Sequence, residues 1–172
     1  MSTRAAAGLV AAIVAADQAT KYLAERHLPL HVPREVVGDV LRFTLTYNPG
    51  AAFGMHFGDA SRYVFTILTV VILGFLFRLY RSLPAGERAL RLAIAAVMGG
   101  ALGNLVDRFR SAAGVVDFID VGVRDTRFWT FNVADSAVSV GAVLLVLLLW
   151  RYEGRVHAAQ QAAAPADEAA RA

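Results

Sequence analysis

The sequence predicts a membrane α-helical protein with four transmembrane helices, a small extracytoplasmic β-sheet and an interfacial helix or flap. Two observations predict this class. The 172-residue chain is 57% hydrophobic but only 18% charged, and its mean hydropathy is +0.51. Its apolar residues also fall into four blocks, each close to the roughly 20 residues that a helix needs to cross a bilayer. We expect a single integral-membrane domain over residues 1–155 and a disordered, Ala-rich tail over residues 156–172.

The four predicted spans cover residues 5–23, 63–80, 89–106 and 133–150. The third span contains small residues at helical spacing, which let helix backbones approach closely in lipid. These small residues are Ala95, Ala96, Gly99, Gly100 and Gly103.

The first span has a second interpretation, because Arg4, the apolar run and the small residues 14–16 are also typical of a cleavable signal peptide. Asp17 and Lys21 argue against cleavage. They lie four residues apart on one helix face, so they can form an ion pair. We therefore expect the segment to be retained as a span.

The arginines predict the orientation of the chain in the membrane rather than a nucleic-acid site. The short connection between the second and third spans is flanked by Arg78, Arg81, Arg88 and Arg91. Cytoplasmic loops are enriched in basic residues, so both termini are expected on the cytoplasmic side. The net charge of +3 does not indicate nucleic acid, because the arginines form no basic stripe with interleaved aromatic residues.

The two outward connections predict the sheet and the flap. Residues 41–48 alternate in character and are rich in β-branched and aromatic side chains, which is typical of a strand, and the turn residues 48–50 end it. Shorter strands are predicted at 115–121 and 128–131. Residues 51–61 are apolar but too short to span, so they predict a helix or flap lying on the membrane.

Two carboxylates lie in unusual places: Asp117 is centred in the apolar run 115–119, and Asp135 lies at the start of the fourth span. Ionised carboxylates are costly away from water, so both are candidate functional groups. Two facing acids share a proton, which supplies a base to activate water and an acid to polarise a carbonyl. We expect Asp135 to be the ionised partner, because a helix N-terminus favours negative charge, and Asp117 to be protonated.

Asp135 also has a structural explanation. If Asn132 is the N-cap of the fourth helix, Asp135 falls at the third helical position, where an acid completes a capping box. The capping role and the catalytic role are compatible. Asp107, Asp120 and Asp125 are expected to be solvated or salt-bridged.

Three alternatives compete with an aspartic site. Lys21 is the only lysine, so a serine–lysine protease would need it beside Ser61, Ser136 or Ser139, but Asp17 would hold it charged. A small proton-coupled transporter component would use buried aspartates as relays, although repeats are absent here and the acids cluster at one interface. An inactive binding or assembly protein is the third. With no cysteine and four scattered histidines, no metal site is expected.

Five blocks of this sequence, in this order, resemble the lipoprotein signal peptidases, the type II signal peptidases of bacterial inner membranes. The blocks are DQATK at 17–21, YNPGAAFG at 47–54, GNLVDR at 103–108, VVDFI at 115–119 and FNVADS at 131–136. Each block alone is a modest signal, but five in the order of the family on a four-span chain are specific.

The resemblance implies an aspartic endopeptidase of the bacterial cytoplasmic (inner) membrane, with its active site at the outer face. It would remove signal peptides from prolipoproteins by cleaving on the amino side of the diacylglyceryl-modified cysteine. Asp117 and Asp135 match the catalytic aspartates, and Asp17 and Lys21 match a supporting ion pair. Six positions match residues that line or support the site: Asn48, Gly50, Asn104, Arg108, Asn132 and Ala134. The resemblance implies no metal or organic cofactor. The expected partners are prolipoproteins and membrane lipids, and a monomer is the simpler expectation.

Overall fold

The structure is a computed structural model that describes residues 3–49 and 60–169. Within these residues, four helices and four strands follow one another. They are α1 (Thr3–His27), β1 (Arg34–Val37), β2 (Leu41–Asn48), α2 (Ser61–Ser82), α3 (Arg88–Arg110), β3 (Val115–Val123), β4 (Thr126–Arg127) and α4 (Val133–Ala169). The site residue Gly50 lies outside the described residues, and so does the predicted flap at 51–61 except for its last two residues.

Three of the described helices are long and apolar enough to cross a membrane: Ser61–Ser82, Arg88–Arg110 and Val133–His157. They contain the second, third and fourth predicted spans. Large apolar side chains on α2 and α4 point outward, which is expected of surfaces that face lipid. The first predicted span is also a continuous helix, α1, but it is not among these three. Its Asp17, Gln18 and Lys21 lower its hydropathy.

The helix α3 lies at the centre of the bundle and packs against α1, α2 and α4. Its small residues make this possible, as the sequence predicted. A Cβ added at Gly99 would lie 3.0 Å from the side chain of Ile13 in α1, and one added at Gly100 would meet the backbone of α4 at Ala134. Around this contact, apolar side chains from all four helices form one core cluster, which includes Leu76, Leu90 and Ile94.

The four strands form one antiparallel sheet in the order β1-β2-β3-β4. β2 begins and ends at the residues that the sequence predicts, and β3 extends two residues beyond the predicted end. One face of the sheet packs on the end of α1 through Ala24, Leu45, Val116 and Phe118. This packing fixes β3 against the same end of the bundle at which α4 begins.

The third predicted strand is displaced. Residues 128–131 were expected to form it, but β4 is Thr126–Arg127, and Phe131 makes only an isolated bridge to Ile119. The reason is a tight turn at Arg124, whose φ of 53° lies in the left-handed region. This turn brings Thr126 directly opposite Val123. The helix α4 also continues beyond the predicted span and covers residues 156–169, because alanine is the strongest helix former.

Candidate active site

Asp117 lies in the strand β3, at the end of the helical bundle. Successive side chains of a strand point to opposite faces, so Val116 and Phe118 enter the apolar cluster on α1 while Asp117 faces the other way. Asp117 is only 4% exposed. Its Oδ1 accepts a hydrogen bond of 2.7 Å from Nδ2 of Asn132, and the side chain of Asn48 also hydrogen-bonds to it.

Asp135 lies in the first turn of α4. The backbone N–H of Asp135 donates to Oδ1 of Asn132 at 2.8 Å, and the backbone N–H of Asn132 donates to Oδ2 of Asp135 at 3.1 Å. This reciprocal pair is a capping box, so the predicted capping role of Asp135 is confirmed. The N–H of Ala134 is satisfied differently, by donating to Oδ1 of Asp17 in α1 at 2.9 Å.

Two buried asparagines join the carboxylates. Asn132 is 0% exposed and contacts both acids, Asp117 with its side-chain amide and Asp135 with its backbone N–H. Asn104, in α3, donates from Nδ2 to Oδ1 of Asp135 at 2.7 Å, and its own Oδ1 accepts from Nδ2 of Asn132 at 3.1 Å. One hydrogen-bonded network therefore contains both candidate catalytic aspartates.

A buried ion cluster lies directly beneath this network. Nζ of Lys21 is 2.8 Å from a carboxylate oxygen of Asp17 and 2.8 Å from one of Asp107, and these three side chains are at most 1% exposed. Gln18 donates to Oδ1 of Asp107 at 3.0 Å. Nζ of Lys21 also donates to Oδ1 of Asn104 at 2.9 Å. The predicted pair Asp17–Lys21 is thus confirmed as part of a larger cluster.

For Asp107 the sequence predicts only a solvated or salt-bridged position, and for Gln18 it predicts no role. The structure makes Asp107 the second counter-ion of Lys21, and its Oδ2 also accepts from the backbone N–H of Val116 at 3.2 Å. A helical spacing of three residues places Asp107 on the same face as Asn104. That spacing is the signal that could have found it.

Arg108 lies half-buried at the edge of the site. Its Nη1 donates to the backbone oxygen of Asn104 at 3.2 Å, and its backbone oxygen accepts from Nε of Arg62 at 2.7 Å. Its charge interacts with the carboxylates of Asp107, Asp117 and Asp135. The positive charge of Arg108 therefore lies near the site, and the Arg62 contact ties the start of α2 to the end of α3.

The electrostatics of the site favour a protonated Asp117. Burial and, second to it, the nearby charge of Asp135 raise the pKa of the Asp117 carboxyl from 3.8 to about 7. The hydrogen bonds from Asn132 and Asn48 oppose this rise without cancelling it. Near neutral pH, Asp117 can therefore either hold a proton or give one up.

The alternative chemistries receive less support from the geometry. All three ammonium hydrogens of Lys21 point to acceptors on Asp17, Asp107 and Asn104, which leaves no free lone pair to act as a base toward a serine. Ser136 donates to the backbone oxygen of Asn132 at 3.0 Å. Within the described residues, no group of three or more His, Asp or Glu side chains is arranged to hold a metal ion.

Apolar membrane helices with two hydrogen-bonded aspartates at one end of the bundle define a class, the membrane-embedded aspartic peptidases. Comparison with known proteins specifies the family. The family model described as signal peptidase (SPase) II matches residues 9–151. The chain belongs to this signal peptidase II family and is an aspartic endopeptidase of that type.

Named relatives and solved structures agree with this assignment. A lipoprotein signal peptidase of Halothermothrix orenii is 38% identical and covers 84% of this chain and 94% of its own length. Another, from Syntrophotalea carbinolica, is 42% identical, with 81% of this chain and 86% of the relative covered. A solved structure described as a bacterial membrane enzyme studied by the in meso method at 2.3 Å resolution has a TM-score of 0.78 at 31% identity, covering 87% of this chain and 89% of that one.

Proposed function

We propose that Asp117 and Asp135 are the catalytic dyad with which this chain removes signal peptides from lipid-modified prolipoproteins, cleaving on the amino side of the diacylglyceryl-cysteine. The observation that carries the proposal is the double role of Asn132. Its side-chain amide bonds to Asp117 at 2.7 Å and its backbone N–H bonds to Asp135 at 3.1 Å. A single rigid residue therefore holds both carboxylates at one end of the bundle.

The reaction follows from the two protonation states. Ionised Asp135 takes a proton from water, and the hydroxide oxygen adds to the carbonyl carbon of the scissile peptide while Asp117 gives its proton to the carbonyl oxygen. As the resulting tetrahedral diol collapses, the proton held by Asp135 passes to the leaving amide nitrogen and the C–N bond breaks. A diol proton returns to Asp117, which restores the resting site.

The neighbouring polar residues suit an extended peptide. Asn48 ends β2 beside Asp117, and amide side chains can donate to and accept from a substrate backbone without adding charge. Arg108 supplies positive charge next to the dyad. We assign Asn48, Asn104, Arg108, Asn132 and Ala134 to substrate binding or support of the site, and Gly50 to the same group on the sequence resemblance alone.

We propose that α1 is the fourth transmembrane span. Its 25 residues extend about 37 Å at 1.5 Å per residue, which exceeds the roughly 30 Å of the hydrocarbon core. Its polar side chains Asp17 and Lys21 are 0% exposed, so neither charge would contact lipid. Because α1 contributes these side chains to the interior of the bundle, its removal as a signal peptide would leave the cluster incomplete.

We also propose that both termini lie in the cytoplasm and that the active site lies at the outer face of the bacterial cytoplasmic membrane. The sheet and the dyad share one end of the bundle. The arginine-rich connection between α2 and α3 lies at the opposite end, where basic residues indicate the cytoplasmic side. Membrane lipids and prolipoproteins are then the partners, and we propose a monomer as the simpler state.

Purified protein in detergent, presented with a diacylglyceryl-modified prolipoprotein, tests the dyad. We expect wild type to cleave, and Asp117→Asn and Asp135→Asn each to lose turnover by about 10³-fold or more. Asp120→Asn is the matched control, because Asp120 is 7% exposed on the same strand but pairs with Arg127 at 2.6 Å. Absence of cleavage by wild type, or near-normal turnover in either dyad variant, would overturn the proposal.

A further inference from the structure

Lys21 makes one contact that its ion pairs do not explain. Two of its ammonium hydrogens point to Asp17 and Asp107, each at 2.8 Å. The third goes to Oδ1 of Asn104 at 2.9 Å. An ammonium group has three donors and no acceptor, so this buried group is fully used.

The third bond determines how the amide of Asn104 is oriented. Lys21 can only donate, so Asn104 must turn its oxygen toward Lys21 and its nitrogen the other way. The nitrogen then lies 2.7 Å from Oδ1 of Asp135. The side-chain amide of Asn132 donates to the same Asn104 oxygen at 3.1 Å, which reinforces this orientation.

The orientation of the Asn104 amide affects the dyad through its hydrogen bond to Asp135. Both carboxylate oxygens of Asp135 accept hydrogen bonds, one from Asn104 and one from the backbone N–H of Asn132. Hydrogen bonds donated to both oxygens favour the ionised form. A reversed Asn104 amide would instead point its oxygen at Asp135, and only a protonated Asp135 could then form that bond.

Other charges also face the dyad, and each belongs to an element packed around it. Around the dyad of Asp117 from β3 and Asp135 from α4, these charges are Asp17 and Lys21 from α1 and Asp107 and Arg108 from α3. Lys21 acts on Asp135 through the intervening amide of Asn104, so its effect depends on hydrogen-bond direction as well as on charge.

We propose that Lys21 is a positioning residue of the dyad: by donating to Asn104 it orients that amide toward Asp135 and thereby directs the shared proton to Asp117. The proposal rests on the dyad proposed above. It goes beyond a supporting ion pair, because a lysine that only held the helices together would leave the position of the proton unchanged.

The test compares two variants with wild type in detergent. Lys21→Met/Asp107→Asn removes the ammonium group together with one of its two counter-ions, so the net formal charge of the cluster is unchanged. Asp107→Asn alone is the matched control, because it leaves the bond from Lys21 to Asn104 in place. The readout is the infrared C=O band of protonated carboxyls, assigned to Asp117 and Asp135 by the loss of bands in Asp117→Asn and Asp135→Asn.

In wild type and in Asp107→Asn the protonated band should belong to Asp117. In the double variant the ratio of protonated Asp117 to protonated Asp135 should fall about tenfold, as expected for loss of one hydrogen bond to a carboxylate. In the cleavage assay its kcat should fall about 10²-fold, with KM changed by less than about threefold. An unchanged proton ratio in the folded double variant would overturn the positioning role.

If the double variant does not fold, Asn104→Leu provides the same readout, because it keeps both ion pairs of Lys21 and removes only the amide. A proton that stays wholly on Asp117 in Asn104→Leu overturns the proposal, and a redistributed proton supports it. The infrared measurement needs no substrate. Failure of wild type to cleave would therefore count against the proposed peptidase function alone, while the infrared ratio still decides the role of Lys21.

Discussion

Replacing the Asp117 carboxyl by an amide should abolish activity and yet stabilise the protein at alkaline pH. Burial and the nearby charge of Asp135 raise the pKa of Asp117 from 3.8 to about 7. A raised carboxyl pKa favours the folded state fully below the unfolded value, and this contribution is lost as pH rises through the folded value. The shift of about three pH units corresponds to about 4 kcal/mol at 1.36 kcal/mol per unit. Asp117→Asn does not titrate, so it escapes this loss.

The assay is the free energy of unfolding of wild type and Asp117→Asn in the same detergent between pH 4 and pH 8. Relative to wild type, the variant should gain about 4 kcal/mol of stability across this range, with most of the gain between pH 4 and pH 7. Asp120→Asn is the control. It removes a carboxylate that pairs with Arg127 at 2.6 Å and accepts from Thr44 at 3.1 Å, so it should destabilise the protein instead. A pH-independent difference between Asp117→Asn and wild type would refute the reasoning.

Three further predictions follow from the packing and the caps. Gly103→Ala should lower the unfolding free energy by about 1–3 kcal/mol, because its Cβ would lie 2.7 Å from a carboxylate oxygen of α1, whereas Gly154→Ala meets nothing within 4 Å and should not. Lys21→Met should cost about 3–5 kcal/mol by leaving buried carboxylates unpaired, whereas Arg155→Met, at an exposed pair, should cost at most about 1 kcal/mol. Asn132→Ser should keep the helix cap and most of the stability but lose activity, whereas Asn132→Ala should lose the cap, the stability that the cap provides and the activity. Denaturation assays check the stability of each pair and cleavage assays check the activity of the Asn132 variants, and equal losses of stability within a pair would contradict the corresponding prediction.

The sequence predicted the helices and the central strand well, because their signals are local. Long apolar runs define α2, α3 and α4, and strict alternation defines β2. The strand β1, Arg34–Val37, was missed. All four of its residues are exposed, so it has no buried face to produce an alternating pattern, and its pairing with β2 is set by tertiary contacts.

The sequence predicts the candidate site residues, but it does not predict their contacts with one another. An acid in an apolar run marks Asp117, and a capping position marks Asp135. Nothing local indicates that Asp107 shares Lys21 with Asp17, or that Asn104 lies between Lys21 and Asp135. The contact of Lys21 with Asn104 joins residues 83 apart and that of Asn104 with Asp135 joins residues 31 apart, and only the packing of the bundle creates them.

The pH dependence of kcat/KM tests the central claim, that one protonated and one ionised aspartate act together, most directly. We predict a bell-shaped profile for wild type. Its acid limb would mark loss of the ionised carboxylate of the pair, and its alkaline limb would fall near pH 7, where Asp117 gives up its proton. Asp120→Asn should keep both limbs. A profile that stays flat or continues to rise from pH 7 to pH 9 would contradict the claim.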